Sequence, residues 1–338
     1  MPTLRDVARV AGVSTATVSA TINQTAYVSP ALQERVKKAI EELGYHPNGI
    51  ARSLKKRSTQ TLGLIISDIT NPFFTALVRG IEDSASARGY SVILCNTDED
   101  QRKERGYLSL LRSRRVDGLI MAPAGLVDDY HRFFVESNIP VVLVDRKVPG
   151  APVDAVIVDN FGGARQVVNY LIRLGHRRIA AITGRQSIST TCDRIDGYRR
   201  ALEDAGISAD PDLLISGNSR LEGGYQAGLT LLQLPQRPTA IFATNNLMAI
   251  GLMRATVDLG LRCPEDLSVA CFDDFEWASV FHPRLTTVAQ PTYVMGAKAI
   301  ELLFARFDGT LTGDPREVVL SPSLIIRDSC TALHLEPA

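Results

Sequence analysis

The stretch "GVSTATVSATINQ", Gly12 to Gln24, decides how the first part of the chain is read. Thr15, Thr17, Ser19 and Thr21 are weak helix formers, yet Val13, Thr17, Val18 and Ile22 fall at helical spacing. No charge interrupts it. Upstream, Thr3 and Asp6 resemble a capping box, with Asp in place of Glu, ahead of an apolar stripe of Leu4, Val7, Ala8 and Ala11. Gly12 ends that helix, and Ser14 caps a second one reaching about Asn23. Ser29 and Pro30 open a third, which runs through Leu43 and stops at Gly44. Its inward face is Leu32, Val36, Ile40 and Leu43, with Arg35, Lys37 and Lys38 outside. Helix, glycine turn, helix is the helix-turn-helix pattern, whose second helix enters the DNA major groove. Small hydroxyl side chains reach base edges and phosphates without bulk, and a Thr methyl or Ala meets a thymine methyl. A generic three-helix bundle fits the same apolar spacing.

The charge is unevenly distributed along the chain. The 338 residues hold 37 Lys/Arg and 37 Asp/Glu, a formal net charge of zero. Residues 1–61 carry nine basic side chains against four acids, a net of +5, which leaves −5 for the remainder. A small basic module on a larger acidic body suits a polyanion-binding head on a regulatory or enzymatic domain. A solvated basic face gives the same count. Hydrophobic content of 45% with 22% charged residues describes a globular chain of two or three domains. No apolar run reaches a membrane span, and the charged N-terminus lacks a signal peptide's apolar core, which points to the cytoplasm. The five cysteines form no paired framework and read as reduced thiols.

Next comes "HPNGIARSLKKRSTQT", His46 to Thr61. Asn48 can cap a short helix, Gly49 to Lys56, too short to be stable alone. Flanked by Arg52, Lys55 and Lys56, it could fold on reaching DNA. Leu54 on such a helix is a candidate minor-groove wedge.

"TLRDVARVAGVSTATVSATIN", "ELGYHPNGIARSLK" and the following "TLGLIISDITNPFF" together resemble the lactose-repressor (LacI/GalR) family of bacterial transcription regulators. The resemblance runs over essentially the whole chain. It implies a homodimer, with a tetramer left open, on palindromic double-stranded operator DNA, with paired hinge helices in the minor groove. By the same resemblance, Thr15, Ala16 and Ser19 lie at the major groove, and Leu54 and Lys55 at the central step. Thr3, Ser14, Thr17, Ala20, Asn23, Tyr27, Asn48, Arg52 and Ser53 complete the implied DNA-contacting set. Two positions depart from the family pattern. Ala20 stands where many members carry Arg or another polar side chain. Gly49 stands where Ala is commoner, which loosens the hinge by up to about 1 kcal/mol.

After Thr61 short apolar runs alternate with helical segments: "LGLIIS", "YSVILC", "DGLIMA" and "IPVVLV" first, then "RIAAIT", "TAIFAT" and "LSVACF". That is βαβ alternation, a parallel sheet with helices on both faces. The expected architecture is α/β: a helix-turn-helix head (1–46), a hinge (47–61), and a two-lobed, doubly wound domain of the periplasmic-binding-protein type (62–330). Its first lobe takes about 62–160 plus 291–318, its second about 161–290 plus 319–330, with a tail at 331–338. Helix Val294–Phe307 and final strands within Glu317–Ile326 complete the crossing.

In open α/β sheets ligands sit at the carboxyl ends of strands, here the cleft between lobes. The polar residues there are Asp68 and Asn71 with Phe73 and Phe74, Asp145–Arg146, Asp159–Asn160, Arg194, Asn245–Asn246 and Asp273–Asp274. Any one of them could be a cap or a loop charge. The resemblance singles out Arg194, Asn245 and Asp273 as effector-contacting, and Phe73 and Ser219 as pocket-lining, although Ser219 is not aromatic as in many relatives. Arg, Asp, Asn and a ring suit a polyhydroxylated effector. A nucleoside or purine is the alternative, because the same set can hold a ribose. No P-loop, GxSxG, HExxH or Cys/His metal spacing occurs, so neither cofactor nor metal is expected and an enzyme is disfavoured. A sugar-binding receptor without DNA function is a further reading, opposed by the basic head.

Overall fold

The computed structural model describes residues 2–45, 58–125 and 129–333. The chain divides into two compact units, residues 1–59 and 60–338. The hinge segment, with Asn48, Gly49, Arg52, Ser53, Leu54 and Lys55, lies outside the described residues, as do residues 334–338 of the tail.

The first unit contains α1 (Leu4–Ala11), α2 (Thr15–Asn23) and α3 (Pro30–Leu43). The capping box forms: the Thr3 backbone N–H donates to Asp6 Oδ2 at 2.9 Å, and Asp6 N–H donates to Thr3 Oγ1 at 3.3 Å. The Thr3 hydroxyl also donates to Asp6 Oδ2, at 2.7 Å, and this bond, with that of the Thr3 backbone N–H, holds the Asp6 pKa below its ordinary value. Gly12 takes the left-handed conformation that closes α1 (φ +62°). Ser14 Oγ accepts Thr17 N–H at 3.1 Å and starts α2. Ser29 precedes α3 without any side-chain cap bond, so Pro30 at the first helical position is the operative start signal. Val7, Ala8, Ala11, Val18, Val36, Ala39 and Tyr45 form the core, with Val13, Ile22, Ile40 and Leu43 packed against it.

The second unit is built on two six-stranded sheets. The first contains β1 (Thr61–Ile66), β2 (Ser91–Asn96), β3 (Gly118–Met121), β4 (Val141–Val144), β5 (Asp154–Val158) and β11 (Glu317–Leu320), in the order β11-β5-β4-β3-β1-β2. The second contains β6 (Ile179–Thr183), β7 (Leu214–Ser216), β8 (Ala240–Ala243), β9 (Ser268–Phe272), β10 (Thr286–Ala289) and β12 (Ser323–Ile325), in the order β12-β10-β9-β8-β6-β7. All neighbours are parallel except β10 and β12. The central strands are buried throughout because helices cover both faces. Around the first sheet pack α4 (Pro72–Ser86), α5 (Gln101–Ser113), α6 (Asp129–Glu136) and α11 (Thr292–Phe307). Around the second pack α7 (Asn160–Arg173), α8 (Ser189–Asp204), α9 (Leu221–Leu232) and α10 (Asn246–Asp258).

The chain crosses between lobes three times: after β5, after β10, and at Ser321–Pro322 between β11 and β12. Pro322 has no N–H for a ladder and suits the break. The crossings leave β5, β10 and β11, which lie at one side of each sheet, while β2 and β7 form the opposite edges. No helix among the described residues is long and apolar enough to cross a membrane.

Candidate nucleic-acid interface and effector cleft

In the first unit α2 presents Ser14, Thr15 and Ala16 outward at its N-terminal end, while Ser19, Ala20 and Asn23 are half-buried. Part of its polar surface is already occupied. Thr17 Oγ1 lies 2.9 Å from Ser14 Oγ, and Asn23 Nδ2 donates to the Ser19 carbonyl at 2.9 Å. Thr15 and Ala16 are thus the open end of a helix without charge. Tyr27 is 90% exposed, an aromatic with no part in the core. Thr3 is exposed but engaged in its capping box. Arg35 is exposed, as the sequence reading expects, and it also donates from Nη2 to the Ala11 and Gly12 carbonyls at 2.6 and 3.2 Å. It ties α3 to the turn that sets the angle between α1 and α2.

In the second unit the carboxyl ends of both sheets converge on one cleft. Its lining includes Asp68, Phe73, Phe74, Glu99, Asp145, Arg146, Arg194, Ser219, Arg220, Asn245, Asp273 and Gln290. All six cleft residues expected from the sequence therefore meet there. Asp145 and Asp273 close β4 and β9 in the left-handed region, φ +66° and +71°. Asp tolerates that region better than most residues, and such positions cluster at binding sites.

Both carboxylates are buried. Burial pushes the Asp145 carboxyl up to about 6, opposed by the guanidinium groups of Arg146 and Arg194. Burial likewise raises Asp273, opposed by Arg194, by Gln290 and by the Asn246 backbone N–H. Arg146 donates to both Glu99 oxygens at 2.9 and 2.7 Å and to the Pro123 carbonyl at 3.0 Å. Its Nε stands 3.3 Å from Asp145. Arg194 donates to Asn160 Oδ1 (2.8 Å) and the Thr244 carbonyl (2.6 Å), and its Nη2 faces Asp273 at 3.6 Å. Arg220 donates to Asp68 at 2.6 Å. Every guanidinium lining the cleft is therefore matched by a carboxylate. Two buried polar atoms of the lining, Arg146 Nε and Gln290 Oε1, have no hydrogen-bond partner among the described residues.

The other strand-end residues divide. Asp159 caps α7, and Asn160 supports Arg194 rather than the cleft. Asp274 turns away to a bidentate pair with Arg327. Asn245 uses Oδ1 to cap α10 and Nδ2 to hold the Ser219 carbonyl, which leaves one N–H for a ligand. Phe73 and Phe74 meet edge to face with centroids 5.0 Å apart, so the aromatic wall stands on one side. Sequence reasoning missed Glu99, Arg220 and Gln290. Gln290 follows β10 directly and shared the strand-end signal, whereas Glu99 and Arg220 belong to loops whose reach only the tertiary structure fixes.

Sequence models of known families match both units. Residues 59–326 match the periplasmic binding proteins and sugar binding domain of LacI family, and residues 3–48 match the bacterial regulatory proteins of the lacI family. The HTH-type transcriptional repressor PurR of Vibrio atlanticus (strain LGP32) is 38% identical, covering 99% of this chain and 100% of that protein. The ribose operon repressor of Escherichia coli (strain K12) is 39% identical over 97% of this chain and 100% of its own length. Among solved structures, the lac repressor dimer bound to operator and the anti-inducer ONPF superposes with a TM-score of 0.85 at 30% identity, covering 98% and 99% of the two chains. A helix-turn-helix head, two doubly wound lobes and relatives matched end to end place this chain in the lacI family of bacterial regulatory proteins, as a DNA-binding transcriptional regulator and not an enzyme.

Proposed function

We propose that the chain represses transcription in the cytoplasm as a homodimer on a palindromic operator, and that an uncharged, single-ring sugar in the cleft controls it. The pairing of each cleft guanidinium with a carboxylate carries the effector reading: Arg146 with Glu99, Arg194 with Asp273, Arg220 with Asp68. A phosphate or carboxylate ligand would need a cation not already paired. Neutral hydroxyls suit the remaining groups, since they donate to Asp145 and Gln290 Oε1 and accept from Arg146 Nε. The single aromatic wall matches the CH face of a sugar, whereas a purine base asks for apolar contact on both faces.

DNA binding rests on the exposed end of α2 and the basic head. Dimer formation is supported by the exposed Val257 on α10 and the exposed Trp277 and Val280 of the turn after β9. Effector coupling of roughly 1–3 kcal/mol would change operator affinity about 5–150-fold. The test pairs calorimetric titration of neutral pentoses and hexoses, their phosphates and nucleosides with gel shift on operator DNA selected from random sequence. Neutral sugars should bind and alter the shift. Preferential binding of a sugar phosphate or nucleoside overturns the effector reading, and DNA binding without sequence preference at 200 mM salt overturns the operator reading.

A further inference from the structure

The three crossings between lobes all lie on one side of the unit, at the edge formed by β5 and β11 in one sheet and β10 and β12 in the other. Any opening of the cleft pivots there, and the largest displacement falls at the far edges, β2 and β7. Arg220 follows β7 and spans that gap. Its Nη1 donates to Asp68 Oδ2 at 2.6 Å, and its Nη2 donates to the Asp98 carbonyl, just beyond β2, at 3.0 Å. Asp145, Arg194 and Asp273 follow or flank inner strands, between the pivot and this contact.

We propose that Arg220 is the clasp of the cleft: its bonds to Asp68 and Asp98 must break for a ligand to enter or leave, and their strength sets how fast the lobes part. The loop before it is built to hold a fixed position. Asn218 and Ser219 both adopt the left-handed conformation, φ +53° and +60°, which a non-glycine pair keeps only when its surroundings demand it. Asn245 Nδ2 holds the Ser219 carbonyl at 3.1 Å. On the other lobe, Asp68 Oδ1 accepts from Thr70 N–H and Oγ1 at 2.9 and 2.6 Å, so the carboxylate is oriented before Arg220 meets it. Other bonds also join the lobes: Asn246 Nδ2 donates to Asn71 Oδ1 at 3.0 Å, buried and uncharged, the Lys147 N–H donates to Ser189 Oγ at 3.2 Å, and Arg185 Nη1 donates to the Glu99 carbonyl at 3.4 Å. Among these contacts Arg220 with Asp68 is the pair of opposite full charges, and its arginine is partly exposed, so salt reaches it.

The proposal rests on the cleft being the effector site, but its first test needs no effector. Spin labels are attached through a ketone-bearing residue at the exposed Glu82 of α4 and Gln233 after α9, which leaves the cysteines untouched. Distances between the labels are then measured at 0.05 and 0.5 M NaCl. Arg220→Gln should raise the ratio of parted to clasped molecules about 3–10-fold, as an exposed charge-assisted pair allows. Asp68→Asn, which keeps an oxygen for Thr70, should do the same. High salt should part the wild type and not the variants, and Arg220→Asp with Asp68→Arg should restore the original distribution. In a second arm, a bound neutral pentose should dissociate faster from the single variants. Identical distances in wild type and both variants at both salt concentrations overturn the clasp. Failure of the pentose to bind, with the distances shifted as described, overturns only the sugar reading.

Discussion

Arg194 and Asp273, 79 positions apart in the sequence, face each other at 3.6 Å across the floor of the cleft while the Arg194 guanidinium lies 3.8 Å above the Phe272 ring. Both side chains are buried, and Arg194 is also bonded to Asn160 and the Thr244 carbonyl. Removing one partner of such a pair leaves the other charge without compensation, at a cost of about 3–5 kcal/mol. Arg194→Ala should therefore lower the melting temperature of the second unit and abolish the effector response. Arg194→Lys should restore neither fully, because an ammonium lacks the planar fork that serves three acceptors. Thermal unfolding followed by effector titration reads both, and a stable, responsive Ala variant refutes the assignment.

The Asp145 carboxyl, pushed up to about 6 by burial, gives the cleft a pH dependence. The carboxylate accepts hydroxyl bonds more strongly than the protonated acid, so effector affinity should fall as pH drops from 7 to 5. Stability follows the opposite sign. A folded pKa raised above the unfolded value favours the folded state below about pH 4, and that contribution disappears as pH rises through about 6. Arg146, Arg194, Asp273 and Glu99 surround the group, and burial also raises the Asp273 carboxyl. Titration at four pH values should show the slope in the wild type and a flatter one in Asp145→Asn; equal slopes reject Asp145 as the group responsible.

Gly80 on α4 and Gly296 on α11 allow those helices to touch. A Cβ on Gly80 would stand 2.2 Å from the Tyr293 carbonyl oxygen, and one on Gly296 would stand 2.5 Å from the Leu77 carbonyl oxygen. These neighbours are backbone and cannot rotate aside. Gly296→Ala should cost about 1–3 kcal/mol in denaturant unfolding, although Ala is the better helix former. A neutral or stabilising result would mean the helices separate at little cost.

Ala20 on α2 offers only a methyl group, half-buried. Hydrogen-bond readout at the base pair it faces is expected to be weak. Ala20→Arg should sharpen preference there by about 1–3 kcal/mol, favouring guanine. Operator selection from random DNA with both proteins measures it, and an unchanged preferred sequence removes Ala20 from the interface.

Much of the local structure was legible along the chain. Thr3 with Asp6, Gly12, Ser14 and Gly44 mark helix ends through bonds spanning three to five residues, and such bonds form wherever the chain runs. The apolar runs announced buried parallel strands for the same reason: a strand covered on both faces must be apolar throughout. Periodicity placed Arg35 outside correctly but could not show its partner, because an exposed position on α3 does not reveal that a carbonyl 24 residues away lies within reach.

The cleft was half legible. Residues at the carboxyl ends of strands were identifiable as a class, and Phe73, Asp145, Arg194, Ser219, Asn245 and Asp273 do line one space. Their division into ligand-facing and supporting groups was not. Asn160 and Asn245 share the chemistry of a ligand residue, yet the first orients Arg194 and the second is largely engaged by a cap and a loop carbonyl. The sequence by itself determined the two units, the strand and helix order and the pool of polar side chains, because those follow from periodicity, caps and composition. Only the tertiary structure decided which charge neutralises which, since pairs such as Asp68 with Arg220 lie 152 residues apart and meet only when three crossings bring the two lobes together.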